Sequence, residues 1–519
     1  MTTTPPESDP DHDPNDLVPL PQTRVHSDED EHELVDASLV EARSFPLSKT
    51  GIVAWTVVLS VTLLIFSLVT YSQIFAEQEI GGDASASELM TLQMQGKLIV
   101  GQQQIMAFDK TLQTDLSDSL PEELNTGSYE QRLCYAILKG ELEGPSAAIE
   151  QLLDLDKQVR QYDLELTADQ KKISAMIEEL NQQYKSGELN SSDILPLIDR
   201  QLLESRLGWT GRLALLPGET PLTIERAAIE SEALTMLVIL IIMSVVGLGI
   251  GLASLTSVIV FIVKLTKKKI TPHFEIRFYN HNIYIETFAV WMCLFFGTSI
   301  LLGMLSFENP TTAMYLQPLI FFGSLICLVW PILRGIPFSQ VRQDIGWTWD
   351  NPLREIMCAI PTYLATLSLL LPGFIIMFIL MALVSVFQQT PEFASPIGPS
   401  HPIQELLAEG GTTMVLMIFV TACIAAPIVE ETVFRGILYR HLRDVKSFSA
   451  RWMSVLFAAI INALIFAAIH PQGIYGIPLL AMLAIGFSLA REWRGSLISS
   501  MAMHAIHNTL VTCVMLTIL

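Results

Sequence analysis

Nine apolar stretches dominate the chain, and each approaches the length that a helix needs to cross a lipid bilayer. A spanning helix takes about 20 predominantly apolar residues, because the hydrocarbon core is about 30 Å thick and a helix rises about 1.5 Å per residue. Charged residues make up 16% of the 519 residues, whereas soluble proteins carry about 25%. We therefore predict an all-α, polytopic bundle of about nine transmembrane helices. The stretches are residues 51–73, 234–263, 284–306, 313–333, 357–387, 411–432, 452–470, 476–490 and 496–517.

The first 50 residues differ in composition from the rest. They hold 12 acidic residues, three basic residues and seven prolines, and such a segment cannot bury enough apolar surface to fold alone. We predict a disordered acidic tail on the cytoplasmic side. No basic n-region of a cleavable signal peptide precedes the first apolar stretch, so residues 51–73 are predicted to be an uncleaved signal-anchor helix.

A second polar segment, residues 74–233, separates the first two spans. It has helical periodicity, for example in SAAIEQLLDLDKQV at 146–159, and turn residues at Gly144-Pro145 and Ser191-Ser192 predict helix boundaries. We predict an inserted extracytoplasmic domain of four to six helices. A docking or sensing role, with a protein partner, and a solvated insertion with no ligand are both open for this domain.

Basic residues follow every even-numbered apolar stretch, and such loops stay in the cytoplasm. The N-terminus is then cytoplasmic, residues 74–233 lie outside, and the C-terminus lies outside. The chain is thus predicted to be a multi-pass protein of the cell membrane. The basic residues are Lys264, Lys267, Lys268, Lys269, Arg334, Arg342, Arg440, Arg443, Lys446, Arg451, Arg491 and Arg494.

The charge and the cysteines exclude two classes of function. The net charge of -22 argues against a nucleic-acid partner, because phosphate binding needs a basic surface. The six cysteines form no CxxC pair, so neither a zinc knuckle nor a disulfide framework is predicted. We expect the cysteines to be small packing residues.

Ionisable residues inside apolar stretches are costly and mark candidate functional positions. In the sixth stretch, Glu431 and Arg435 are four residues apart and are predicted to form an ion pair on one helix face. Glu430 points about 100° away and has no partner on its own helix. One carboxylate would be held ionised by arginine while the other is free to move a proton. The alternative is that both glutamates only mark the cytoplasmic end of the helix.

Two further groups follow in later stretches. Phe466 and His470 lie one turn apart at the end of the seventh stretch, where a histidine can also be a helix cap or a surface residue. His504 and Asn508 share a face of the last stretch, and their alternative role is an interhelical hydrogen bond. The role of His507 is left open.

In this order the three groups resemble the motifs of the CPBP family of intramembrane proteases, the CAAX protease and bacteriocin-processing enzymes. The family pattern EExxxR, FxxxH and HxxxN is met by EETVFR at 430–435, FAAIH at 466–470 and HAIHN at 504–508. FRGIL at 434–438 and RGSL at 494–497 are also similar to this family. The resemblance covers about 345–519, which we take as the protease domain, with further transmembrane helices at 234–344.

The resemblance implies a membrane-embedded endopeptidase that hydrolyses membrane-associated substrates, prenylated CAAX-type peptides among them, in contact with the lipid bilayer. Glu430 with His470 would activate a water, and His504 and Asn508 would bind the oxyanion of the tetrahedral intermediate. The supporting residues would be Glu431, Arg435 and Phe466.

The family is described both as metallopeptidases and as metal-free glutamate proteases. We favour no metal cofactor, because Asn508 is a poor zinc ligand but a good hydrogen-bond donor. If zinc is present, its ligands would be Glu430, His470 and His504. Two other functions are alternatives: a proton- or cation-coupled transporter, whose inverted repeats we do not find, and a catalytically idle membrane scaffold.

Overall fold

The computed structural model describes residues 43–44, 48–74, 86–108, 120, 124–187, 190–218, 223–276, 281–305, 310–387, 393, 407, 411–448 and 450–518. Most of the predicted acidic tail, residues 1–42, lies outside the described residues. What is described is helical almost throughout, which confirms the predicted all-α fold. A single pair of two-residue strands is added to the helices, in which β1 (Arg43–Ser44) pairs antiparallel with β2 (Lys446–Ser447).

The polar segment after the first span folds into helices that share one hydrophobic core, with Leu133 and Ile177 fully buried. The predicted boundaries are found, because Gly144 ends one helix before Pro145 begins the next, and Ser191 begins another. Burial raises the pKa of the Cys134 thiol to about 12, so this cysteine is an unreactive packing residue. The first span is α1 (Lys49–Ile74). The helices of the polar segment are α2 (Ala86–Phe108), α3 (Tyr129–Glu143), α4 (Pro145–Gln161), α5 (Ala168–Lys185), α6 (Ser191–Ile194) and α7 (Leu197–Leu215).

One uninterrupted helix, α8 (Ile224–Thr266), joins this segment to the membrane part. Its beginning packs into the core of the polar segment through Ile229 and Ala233. From Val238 onward most of its large apolar side chains are exposed, as expected for a surface that faces lipid. The helix is therefore continuous across the predicted domain boundary at residues 233 and 234.

The rest of the chain forms a helix bundle. A 3₁₀ turn (Leu325–Leu328) follows α10, and two π-helical segments, Phe419–Ala425 and Glu431–Leu438, flank α16. The helices are α9 (His281–Leu305), α10 (Pro310–Ser324), α11 (Val329–Leu333), α12 (Phe338–Ile345), α13 (Pro352–Leu367), α14 (Leu370–Phe387), α15 (Thr412–Ile418), α16 (Ala426–Glu430), α17 (Tyr439–Val445), α18 (Arg451–Ala468), α19 (Gly473–Arg494) and α20 (Ile498–Ile518).

Within the described residues, eight helical stretches are long and apolar enough to cross a membrane, one fewer than the nine predicted. The predicted ninth span is helix α20, whose polar residues His504, His507 and Asn508 interrupt its apolar sequence. The chain is a polytopic, multi-pass helix bundle. The eight stretches are Lys49–Ser72, Ile224–Thr266, Asn282–Leu305, Tyr315–Leu333, Pro352–Val386, Thr412–Val445, Arg451–Ala468 and Gly473–Arg494.

The main core of the bundle surrounds the stretch Thr412–Val445. Phe434 is fully buried there and meets Phe288 of α9 and Phe466 of α18 edge to face, at ring separations of 5.3 Å and 5.0 Å. Helix α19 closes the other side and approaches α13 so closely that a Cβ on Gly486 would overlap Thr366. The glutamates of this stretch are therefore held among tightly packed helices.

Candidate active site

Glu430 is the last residue of α16 and lies between the two π-helical segments. It is 18 residues from the start of the apolar stretch Thr412–Val445 and 15 residues from its end. Its side chain is 13% exposed, and its Oε2 atom is buried and forms no hydrogen bond within the described part of the chain. π-Helical turns inside α-helices are rare and frequently accompany functional sites.

Two imidazoles converge on this carboxylate. The Nε2 atom of His470 lies 3.7 Å from Glu430 Oε2, and the Nε2 atom of His504 lies 3.9 Å from the same oxygen. His470 lies just after the end of α18 and His504 lies on α20, so three separate parts of the chain meet at one point. At these separations one water molecule or one substrate atom can contact all three groups.

Each of the two histidines is oriented through its other ring nitrogen. His470 Nδ1 lies 2.5 Å from the carbonyl oxygen of Phe466, so this imidazole also caps its own helix. His504 Nδ1 lies 3.0 Å from Glu431 Oε1. Since a carbonyl and a carboxylate both accept, each Nδ1 carries a hydrogen and each Nε2 faces Glu430.

The predicted ion pair is present and completely buried. Arg435 Nη1 donates to Glu431 Oε1 over 2.9 Å, and both side chains are 0% exposed. A second donation, from Arg435 Nη2 to the Ala484 carbonyl over 3.2 Å, reaches helix α19. Glu431 therefore holds Arg435 and His504 at once.

Aromatic rings enclose this polar group. The Arg435 guanidinium lies 4.7 Å from the ring centre of Phe466 and 5.2 Å from that of Phe487. Phe487 also stacks on the His504 imidazole at 5.3 Å. Phe487 could not be identified as a site residue from the sequence, because it lies on α19 outside the three motifs and is one of many apolar residues there.

Asn508, the fourth candidate, binds the backbone of the first π-helical segment. Its Nδ2 donates to the carbonyl of Ala422 over 2.7 Å. In the first π-helical segment the Ala426 amide donates to the carbonyl of Thr421, so the next donor in the series would be residue 427. That residue is Pro427, which has no N–H, and the side chain of Asn508 takes the place of the missing donor. The interhelical hydrogen bond that the sequence left as an alternative is thus formed.

Two polar contacts of the site were not predicted. His507 Nδ1 lies 3.1 Å from the hydroxyl of Tyr363 on α13, so this histidine faces away from Glu430 toward another helix. The indole of Trp347 donates to Thr432 Oγ1 over 3.1 Å. Both join distant parts of the chain, and no local pattern marks them.

The three converging atoms define the chemistry that is available. Two imidazoles and one carboxylate are the ligand types of a catalytic His₂Glu zinc site, and their Nδ1 partners are of the kind that orient metal-bound histidines. As the side chains stand in the described residues, no three His, Cys, Asp or Glu are arranged to hold one ion. All six cysteines are free and lie outside the site.

The region that contains these groups matches one protein family. Residues 412–510 match the family described as type II CAAX prenyl endopeptidase Rce1-like. The segment includes Glu430, His470, His504 and Asn508. Residues 412–510 are therefore similar to the CAAX prenyl endopeptidases, which supports the resemblance to the CPBP family of proteases. Comparison with the curated proteins and with the solved structures returned no match.

The buried ion pair generates a prediction about stability. We expect Glu431→Leu to lower the free energy of unfolding by about 3–5 kcal/mol, because Arg435 is left as an unpaired charge among apolar helices. The double variant Glu431→Leu with Arg435→Leu should recover most of this loss. Thermal unfolding of the full chain in detergent measures both. A single variant as stable as the unaltered chain would show that the pair contributes nothing to the fold.

Proposed function

We propose that the chain is an intramembrane endopeptidase in which Glu430, assisted by His470, activates a water for attack on a peptide bond. The convergence of His470 and His504 on one oxygen of Glu430, within the segment that matches the protease family, is the observation that carries the proposal. A carboxylate whose Oε2 atom forms no hydrogen bond within the described residues, and which is surrounded by apolar helices, is suited to accept the proton of that water.

The charge balance of the site supports a role for His504. Glu430 and Glu431 carry two negative charges, and Arg435 supplies one positive charge. A single further proton, on one imidazole, makes the buried group neutral. On His504 that proton would sit on Nε2, with Glu431 balancing the charge through Nδ1. An Nε2–H so placed can donate to the oxyanion of the tetrahedral intermediate.

Asn508 would act as the second donor to the oxyanion. Its amide nitrogen carries two hydrogens, and the bond to the Ala422 carbonyl uses one of them. That bond fixes the plane of the amide, so the remaining hydrogen has a defined direction. Phe466 and Phe487 would exclude water from the charged groups and thereby strengthen their interactions.

The substrate would be a peptide that is itself associated with the membrane. The site lies near the middle of an apolar stretch, so the scissile bond has to reach it within the bilayer. A peptide that carries a lipid modification meets this requirement, and prenylated CAAX-type peptides are the substrate class that the family description suggests.

We propose that N-terminus and basic loops share the cytoplasmic side of the cell membrane, and that the polar helical segment, with any protein partner, lies outside. The pairing of β1 with β2 supports a common side for the N-terminus and the basic loops, because it places residues 43–44 beside the loop between α17 and α18. The loop carries Lys446 and is followed by Arg451 at the start of α18, and basic residues favour the cytoplasmic side.

Glu430→Gln tests the mechanism. The change keeps the shape of the side chain but removes the base, so we expect cleavage to fall by about 10²–10⁴-fold with no change in thermal unfolding. The assay is cleavage of a farnesylated CAAX peptide by the full chain in proteoliposomes, with products identified by mass spectrometry. Glu286→Gln, a change of another buried membrane glutamate away from the site, should retain activity. Full activity of the Glu430 variant would contradict the mechanism.

If the unaltered chain does not cleave the farnesylated peptide, a second experiment separates a wrong substrate from a wrong mechanism. Membrane proteins of cells that make the unaltered chain are compared by quantitative proteomics with those of cells that make Glu430→Gln. Cleavage products found only with the unaltered chain identify another substrate, and identical protein patterns would contradict the protease itself.

We further propose that the reaction needs no metal. Active, purified chain should then contain well under one zinc atom per chain by elemental analysis and should keep its activity in a chelator. His470→Ala and the control His507→Ala are measured alongside. Zinc near one atom per chain, lost with activity in the His470 variant and retained in the control, would reverse this proposal.

The orientation predicts a difference between two introduced cysteines. Ser186→Cys in the polar segment should react with an impermeant thiol reagent on intact cells, whereas Ser339→Cys on α12 should react only after lysis. Both serines are exposed, and the proposed orientation puts them on opposite sides of the membrane. The reverse pattern would invert the topology. The background chain has alanine in place of the three cysteines that are not buried, Cys293, Cys358 and Cys513.

A further inference from the structure

A cavity of about 380 Å³ lies at the end of the bundle where α19 ends. Its lining residue Arg440 follows Glu430 by ten residues, which corresponds to about 15 Å of helix. Three arginines line it: Arg440 of α17, and Arg491 and Arg494 of α19. Two of them are neutralised by neighbouring carboxylates. Arg440 pairs with Asp444 at 2.7 Å, and Arg494 pairs with Glu355 at 2.5 Å.

Arg491 differs from the other two. Its side chain is 2% exposed and forms no ion pair within the described part of the chain. Its guanidinium donates to the carbonyl oxygens of Asp344, at 3.1 Å, and of Gly495, while Nε is buried without a hydrogen bond. Arg440 adds a second positive charge nearby, and the carboxylates of Glu492 and Asp344 act on Arg491 without forming an ion pair with it. A buried cation is costly unless an anion compensates it, so a negative group in the cavity would stabilise Arg491.

The rim of the cavity carries acidic side chains, opposite in charge to the arginines. Glu275 and Asp350 line it and are exposed. A ligand that fits both regions carries an anionic group that reaches Arg491 and a hydrogen-bond donor, an amine or a hydroxyl, that reaches the rim. A phosphate ester with a short polar head group has this distribution of charge.

The surroundings of the cavity place it at the membrane surface. Trp349, between the lining residues Thr348 and Asp350, is 67% exposed, and exposed tryptophans concentrate at the head-group level of bilayers. Directly beyond, Leu353 and Met357 on α13 are 69% and 59% exposed. They are four residues apart and so form an apolar row that leads away from the cavity along one helix face.

We infer that this cavity binds the head group of a glycerophospholipid, with the phosphate on Arg491, the amine or hydroxyl of the head group at Asp350 and Glu275, and an acyl chain along Leu353 and Met357. Free phosphate shares the first contact only. The inference goes beyond the proposed peptidase and does not depend on it, because no residue of the candidate active site takes part.

The test measures thermal unfolding of the purified full chain in detergent with four added probes. Short-chain phosphatidylethanolamine and phosphatidylglycerol should raise the unfolding midpoint. Phosphatidylcholine, whose head group has no N–H or O–H, and inorganic phosphate should raise it much less. Equal effects of phosphatidylcholine and phosphatidylethanolamine would overturn the assignment of the rim, and a full effect of inorganic phosphate would overturn the lipid.

Variants connect the effect to the cavity. Gln343→Glu places a carboxylate in the lining and should raise the lipid concentration for the half-maximal shift by about tenfold or more through repulsion of the phosphate. Ser339→Glu, one turn earlier on α12 and outside the lining, is the matched control and should leave that concentration unchanged. Arg491→Gln should abolish the shift. If the Arg491→Gln variant does not fold, the comparison of Gln343→Glu with Ser339→Glu tests the proposal. An identical response of these two variants to the lipid would overturn it.

Discussion

A completely buried ion pair between Glu431 and Arg435 is the interaction on which the geometry of the site depends. A buried ion pair inside an apolar stretch needs further hydrogen-bond partners in addition to the opposite charge. Arg435 is therefore tied to the Ala484 carbonyl, and Glu431 is tied to His504. These bonds join α19 and α20 to the π-helical segment, so the requirement to neutralise one arginine also sets the position of an imidazole beside Glu430.

The candidate site was largely predictable because its residues are rare in apolar stretches. The i,i+4 spacing of Glu431 and Arg435 predicted their contact. The resemblance to the protease family implied a common site for Glu430, His470 and His504, and the structure brings these three side chains together. The π-helical turns were not predictable, since they arise from packing among several helices rather than from local preference. Phe487 is likewise recognisable only once α19 is placed against α20.

The architecture was predictable where composition changes sharply along the chain. The long apolar stretches predicted the membrane spans, and Gly144-Pro145 predicted a helix boundary. Within the described residues, eight of the nine predicted spans are long and apolar enough to cross a membrane, whereas the ninth, α20, carries polar residues of the site within its apolar sequence. The continuity of α8 across the expected boundary was missed, since helical periodicity alone does not show where a helix leaves one core and meets lipid.

The proline at position 427 has a consequence for how this chain can vary. Because it supplies no N–H, the Ala422 carbonyl depends on a side chain 86 residues away in sequence. Any other residue at 427 would restore a backbone donor, compete with Asn508 for that carbonyl and release its amide. Pro427 and Asn508 therefore depend on each other, because the side chain of one replaces the backbone N–H that the other lacks. We expect related sequences to keep both residues or to exchange both together.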